Sequence, residues 1–387
     1  MRHEHHRTII IGAGAMGAAA AYQLAKRGEP VLLLEQFALG HPHGSSHGAG
    51  RIIRHSYADP HCARLMPAAF QAWRELEADA GESLYVRCGG VSLCPRGVDY
   101  VEHATVNLDA LGVPHRRMTG HELHRIHHAF HVPIDCDVVF EPDAGILAAA
   151  RAVGLQIHLA ESCGLDTTIV KDRTPVRGLD LQQESPVVLT DDVRYTTDRL
   201  VITAGAWIRR LIPQLASWFR VERQQVFYFR PTDHQDFSLG KFPIWIYLGH
   251  SPFEAFYGMP EHLGFGVKAA RHGGIVIDPD SPHPDTDGSE RQRAETTLRT
   301  FLRALLPALA EAPIDHHETC LYTIAPQDQF LIDLMPGRPD VILASPCSGH
   351  GFKFSALVGR IVADLVGSGD SEIDLAPWRF PAECRQP

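Results

Sequence analysis

Three kinds of residue in this chain are spaced to do chemistry: glycines that suit a phosphate, an acid that suits a ribose, and basic side chains among apolar or glycine-rich neighbours. GAGAMG at 12–17 reads G-x-G-x-x-G through Gly12, Gly14 and Gly17, with Ala15 and Met16 inside the motif. The first glycine suits a tight turn, the second lets backbone approach a pyrophosphate, and the third lets helix press on strand. Glu35, 18 residues after Gly17, is placed to accept hydrogen bonds from both hydroxyls of an adenosine ribose. An acid there disfavours a 2′-phosphate, which argues against NADP and leaves FAD and NAD open. The loop GHPHGSSHGAGRIIRHSY (40–57) sets Ser46, His47, Arg51, Arg54 and His55 among glycines. Such a stretch either handles an anion or is a solvated basic loop. Lys268 stands alone in an apolar strand, where a lysine either snorkels to solvent or aims a cation into a cavity. Lys353 follows Gly349, Gly351 and Phe352 in a glycine-rich turn that runs into a helix, whose amino terminus favours something negative.

These groups need a strand, turn, helix and strand to hold them, and residues 8–35 have that pattern. Thr8 to Ile11 are apolar and β-branched, as a strand buried on both faces requires. The next stretch is Ala-rich, carries Lys26 and Arg27 in its last turn and stops at Gly28 before Pro30; Val31 to Leu34 form the second strand. Leu200 to Thr203 is a further buried strand, and Ala204, Gly205 and Ala206 at its end let a cofactor or a helix come close. Helices are predicted over 60–80 and 290–311, a hairpin strand over 84–95, and an antiparallel sheet over 219–280 that roofs a substrate cavity. His124 and His128 stand at i,i+4 in the His-rich 121–131, but without H-E-x-x-H order or a placed acid they read as a solvated helix face. No metal is expected. The fold class is α/β, a Rossmann-type nucleotide-binding domain, for FAD or NAD, interleaved with an antiparallel-sheet α+β substrate domain. The division drawn is 1–85, 140–218 and 318–387 for the nucleotide, 86–139 and 219–317 for the substrate.

At 387 residues with 44% hydrophobic content the chain can bury a large core. Its net charge of −10 argues against nucleic acid, and no apolar run approaches a membrane span. MRHEHHRT has no signal-peptide core, so a cytoplasmic location is expected, and His3, His5 and His6 are expected to lie outside the fold. Eight cysteines (62, 88, 94, 136, 163, 320, 347, 384) show no C-x-x-C, so zinc ribbons and redox-active disulfides are excluded.

Four blocks, GAGAMG with Glu35, GSSHGAGRIIRHSY, CLYTIAPQDQFLID and SGHGFKFS, resemble the monomeric sarcosine oxidase and N-methyltryptophan oxidase family within the D-amino-acid-oxidase-like flavoproteins, nearly end to end. The resemblance implies that FAD is the cofactor, joined covalently through Cys320, and that the protein acts as a monomer on a small amino acid and O2. It implies that Arg54 and Lys353 hold the substrate carboxylate and that Lys268 lies over the flavin to help reduce oxygen. Tyr257, His272 and Tyr322 then line the cavity, His47 and Arg51 stand near the flavin ring, and Val170 contacts adenine. The expected reaction passes a hydride equivalent from a secondary or N-methylated amino acid to flavin, giving an imine and then hydrogen peroxide. The segments ILAAARAVG and 163–170 depart from the family pattern, so the adenine contacts are the least secured. Cys347 is either a buried small residue or a second thiol near the flavin. The competing readings are an NAD-linked dehydrogenase, an FAD-dependent dehydrogenase and a non-catalytic flavin-binding module.

Overall fold

The computed structural model describes residues 1–133, 135–163, 167–280 and 288–381; Cys384 and residues 164–166 lie outside them. Five parallel strands form the centre of the first sheet, in the order Arg338–Ser345, Val193–Ile202, Arg2–Ile11, Val31–Leu34 and Thr168–Lys171. Helix Ala15–Lys26 leaves the end of the Arg2–Ile11 strand, as the glycine spacing predicts. Its alanines allow close packing against helix Ser355–Ser368, where a Cβ on Gly359 would stand 2.5 Å from the carbonyl oxygen of Ala19. Ile9, Ile10, Leu32, Leu33, Leu200 and Val201 are fully buried, which is why these short strands read as unbroken apolar runs.

Residues 2–6 correct one expectation: they extend the first strand and pair in parallel with Val193–Thr197. Their polar side chains suit an edge-like extension, with Glu4 paired to Arg2 at 2.7 Å and the His6 ring 5.7 Å from Tyr195.

The second sheet has nine strands among the described residues. Most pairs are antiparallel, as expected for 219–280, but Ile244–Leu248 lies parallel to Gly90–Pro95 and so joins the two distant segments of chain. The predicted hairpin over 84–95 is split instead: Tyr85–Arg87 joins a small three-stranded sheet and Gly90–Pro95 joins the large one. Gly89, at φ +72, makes the change of direction, and a Cβ there would stand 2.9 Å from the Phe140 ring. The strand Ile314–Ile324 runs antiparallel along Arg220–Phe229 in the large sheet. The His-rich helix ends at Ile126, leaving His128 beyond it, and among the described residues no His, Cys, Asp and Glu cluster could hold a metal. No helix among them is long and apolar enough to cross a membrane.

Candidate active site

A cavity of about 720 Å³ runs from the glycine turn at the end of the first strand to the inner face of the large sheet. At the turn, Gly12 has φ +99, and a Cβ on it would stand 2.7 Å from the carbonyl oxygen of Thr203. A Cβ on Gly17 would overlap the carbonyl oxygen of Gly12 at 1.8 Å, which is the helix-on-strand contact that the third glycine permits. Gly17 therefore lies beneath the turn, while Gly12, Gly14, Ala15 and Met16 line the cavity. Ser46 caps the helix from another segment: its Oγ accepts from Ala15 N at 2.9 Å. The Glu35 carboxylate accepts from Ala13 N at 2.8 Å and Phe37 N at 3.0 Å, with His41 Nε2 at 3.3 Å. Burial alone would raise its pKa; the His41 hydrogen bond and the two backbone N–H groups outweigh that and hold it below the usual carboxylate range. Ala204 and Gly205 close this end of the cavity. Val170 does not: on strand Thr168–Lys171 it packs against the core, and Thr174, Pro175 and Val176 take the wall beside Glu35. Thr174 donates its backbone N–H to the Glu35 carbonyl at 2.7 Å, which sets that wall.

At the other end, the strand period of two puts the predicted residues on one sheet face. Lys268 and His272 come from the strand Val267–Arg271 and its continuation, Tyr257 from Ala255–Met259, and Cys320 and Tyr322 from Ile314–Ile324; all line the cavity. Lys268 is 3% exposed, and its Nζ donates to the carbonyl oxygen of Gly50 at 3.2 Å. Burial, and then the Arg51 guanidinium, push its pKa down to about 7. Arg51 donates to the Gly50 and Ser45 carbonyls at 3.0 and 2.8 Å and lies over the Phe352 ring. His47 Nε2 donates to Thr319 O at 2.9 Å, leaving its buried Nδ1 with no partner among the described residues. Cys320 is buried, which raises its pKa against the pull of Arg51 and Lys268. Burial pushes His272 down to about 4 and Tyr257, which is hydrogen-bonded to Tyr322, up to about 12. At neutral pH both are uncharged.

Arg54 and Lys353, 299 positions apart in sequence, meet on a third wall. The Arg54 guanidinium lies 4.3 Å over the Tyr57 ring and is 7% exposed, and its Nε and Nη1 have no partner among the described residues. Lys353 Nζ donates to the Tyr57 hydroxyl at 2.9 Å and the His350 carbonyl at 2.7 Å, and burial followed by Arg54 pulls its pKa well down. Gly349 and Gly351 make the approach possible. A Cβ on Gly349 would meet His272 and Tyr322 at 2.5 and 2.6 Å, and one on Gly351 the carbonyl oxygen of Pro346 at 1.5 Å. Cys347 also lines the cavity, its thiol pushed up to about 11 by burial.

Sequence reasoning missed Tyr57, His350, Tyr228 and Glu318. Tyr57 ends the same glycine-rich block three residues after Arg54, and His350 stands inside GHGFKF, so both could have been found by proximity. Glu318 lines the cavity, and Tyr228 stands on the same sheet face beside it, only through strand register.

The chain is 31% identical over 379 residues to monomeric sarcosine oxidase of Bacillus sp. (strain NS-129), covering 96% of this chain and 95% of that protein. It is 33% identical over 385 residues to human peroxisomal sarcosine oxidase, with 96% and 95% covered. N-methyl-L-tryptophan oxidase of Yersinia pestis (strain Pestoides F) is 28% identical over 374 residues, with 96% and 97% covered. Among solved structures, NikD, an unusual amino acid oxidase, shares the fold with TM-score 0.82 at 23% identity over 97% of each chain. L-proline dehydrogenase from P. horikoshii does so with TM-score 0.80 at 21% identity over 96% of each chain. The family model for DAO, FAD dependent oxidoreductase, matches residues 7–365, and the chain belongs to that family of flavin enzymes.

Proposed function

We propose that this enzyme is an oxidase of a secondary or N-methylated amino acid, with its FAD joined through the Cys320 sulfur. The observation that carries the reading is Arg54, a buried guanidinium with Nε and Nη1 unpartnered among the described residues, beside the buried ammonium of Lys353. Burying an ion costs several kcal/mol, so such a pair persists where an anion arrives to compensate it. A carboxylate fits: the planar fork of Arg54 takes it, and Lys353 has three donors with two in use. That anion raises the Lys353 pKa again and keeps it charged while substrate is bound.

The residues present also fit FAD. The Gly12–Gly17 turn, helix Ala15–Lys26 and Glu35, whose carboxylate keeps free lone pairs, suit the ADP portion, and His47, its Nδ1 bare among the described residues, lines the cavity too. When bound, the flavin supplies acceptance of a hydride equivalent and its transfer to dioxygen. The chain supplies placement and field. Arg54 and Lys353 orient the amine by its carboxylate; uncharged His272, Tyr257 and Tyr322 shape the wall beside it. The Lys268 ammonium, with no carboxylate among its hydrogen-bond partners, stabilises the negative charge that develops as dioxygen is reduced. Cys320, buried on the same face, supports attachment at that end of the cavity.

We further propose that residues 1–85, 140–218 and 318–387 form the FAD-binding domain, that the protein is a monomer, and that it works in the cytoplasm. Seven free cysteines among the described residues support a reducing compartment. The test is anaerobic mixing with N-methyl and cyclic imino acids and with the same amines lacking a carboxylate. The acids are expected to bleach the flavin and the amines not; if no secondary amino acid bleaches it, the oxidase reading fails. Acid precipitation is expected to leave the yellow colour in the pellet, and colour in the supernatant would refute the Cys320 attachment.

A further inference from the structure

One row of the cavity face holds a charge arrangement that substrate binding does not use. Tyr228 stands directly opposite Lys268 on one neighbouring strand and opposite His316 on the other, so the three share one row across the sheet. Glu318, two residues along from His316, points to the same face, and its Oε2 accepts from the Tyr228 hydroxyl at 3.1 Å. Its Oε1 lies 3.2 Å from His316 Nε2 at the exposed edge of the sheet, with side-chain exposures of 18% for Glu318 and 45% for His316. On the inner side, Glu318 Oε2 and Arg51 Nη1 press on Gly48, where a Cβ would stand 3.1 and 3.3 Å from them. Gly48, at φ +86, permits both the loop conformation and this approach. The Lys268 ammonium lies 5.8 Å from the Tyr228 ring.

We propose that Glu318, held in place by Tyr228 and His316, is the counter-charge that sets the protonation state of Lys268. Among the described residues, these groups face that ammonium. From the loop and strand before Arg54 come Arg51 and His47; from Ile314–Ile324 come Cys320 and Glu318; from Arg220–Phe229 comes Tyr228. Burial and then Arg51 favour neutral lysine; Cys320 and then Glu318 oppose them, and of these two Glu318 is the carboxylate. Glu318 is therefore a positioning residue, acting on chemistry through Lys268. This rests on the reading of Lys268 as the cation that assists dioxygen.

The chain has five lysines, so holoenzyme grown on lysine labelled with 13C at Cε gives a spectrum in which Lys268 is assignable by its loss in Lys268→Met. In Glu318→Gln, which keeps a hydrogen-bond partner for Tyr228, the Lys268 titration is expected to move about one pH unit lower than in the wild type. Tyr228→Phe, which frees the carboxylate to swing outward, is expected to fall between the two and serves if Glu318→Gln folds poorly. A Lys268 midpoint that stays put in both folded variants overturns the proposal. The pH dependence of flavin reoxidation separates the two readings. If the titration shifts and the reoxidation profile does not follow, Glu318 sets the lysine as proposed and the dioxygen role of Lys268 is what fails.

Discussion

The two ends of the cavity treat buried charge in opposite ways. At the glycine turn the Glu35 carboxylate is met by two backbone N–H groups and His41, and Ser46 accepts from the helix terminus. At the other end, around the sheet face and the third wall, three buried basic side chains, Arg54, Lys268 and Lys353, have carbonyl, hydroxyl or ring partners and no carboxylate in hydrogen-bond contact. The first region is complete without a ligand. The second holds charge that no carboxylate meets in direct contact, so its residues should cost stability while they serve function.

Lys268→Met gives the strongest test of that contrast. It is expected to slow flavin reoxidation by about 10^2 to 10^3, on the scale of losing one electrostatic stabiliser of a developing anion, and to leave the flavin bound. Equal reoxidation rates in rapid mixing with oxygen would break the comparison at its centre. Arg54→Met comes next. Losing one side of a buried carboxylate grip should lower kcat/KM for an amino acid by about 10^2 to 10^3 with Tm held or raised. A fall of several degrees in Tm would show Arg54 to be structural instead. Glu35→Ala should do the reverse, lowering Tm because Ala13 N and Phe37 N lose their acceptor, at a cost of about 1–3 kcal/mol.

The smallest effect is a pH dependence. Lys268 titrates near 7 in the fold and at 10.5 when unperturbed, so between those values the unfolded chain binds the extra proton and wild-type stability rises with pH. The Tm advantage of Lys268→Met is therefore expected to be largest below pH 7 and to shrink towards pH 10.5. An advantage that grows with pH would mean that Lys268 is stabilised, not strained, by its surroundings.

The legibility of the site follows the same division. Gly12, Gly14, Gly17 and Glu35 were readable because the turn, helix and strand that position them are consecutive in the chain, and each glycine answers a local steric demand. Lys268 was readable as a lone cation in an apolar strand, whereas His272, Cys320 and Tyr322 came from the family resemblance; that they share one face follows from the strand register. Val170 came from the resemblance; its side chain packs against the core, and Thr174, Pro175 and Val176 line the wall beside Glu35. Residues 2–6 were misplaced because a polar run carries no burial signal until its partner strand is known.

By itself, then, the sequence determined the nucleotide turn, its acid and the antiparallel strands over 219–280 with a lone lysine among them, all of which depend on neighbours a few residues away. Only the tertiary structure brought Arg54 to Lys353, set Tyr228 between Lys268 and His316, and divided 84–95 between two sheets. Local sterics and periodicity are written along the chain. Strand register across hundreds of residues is decided by the packing of whole elements, and it is register that placed the charges.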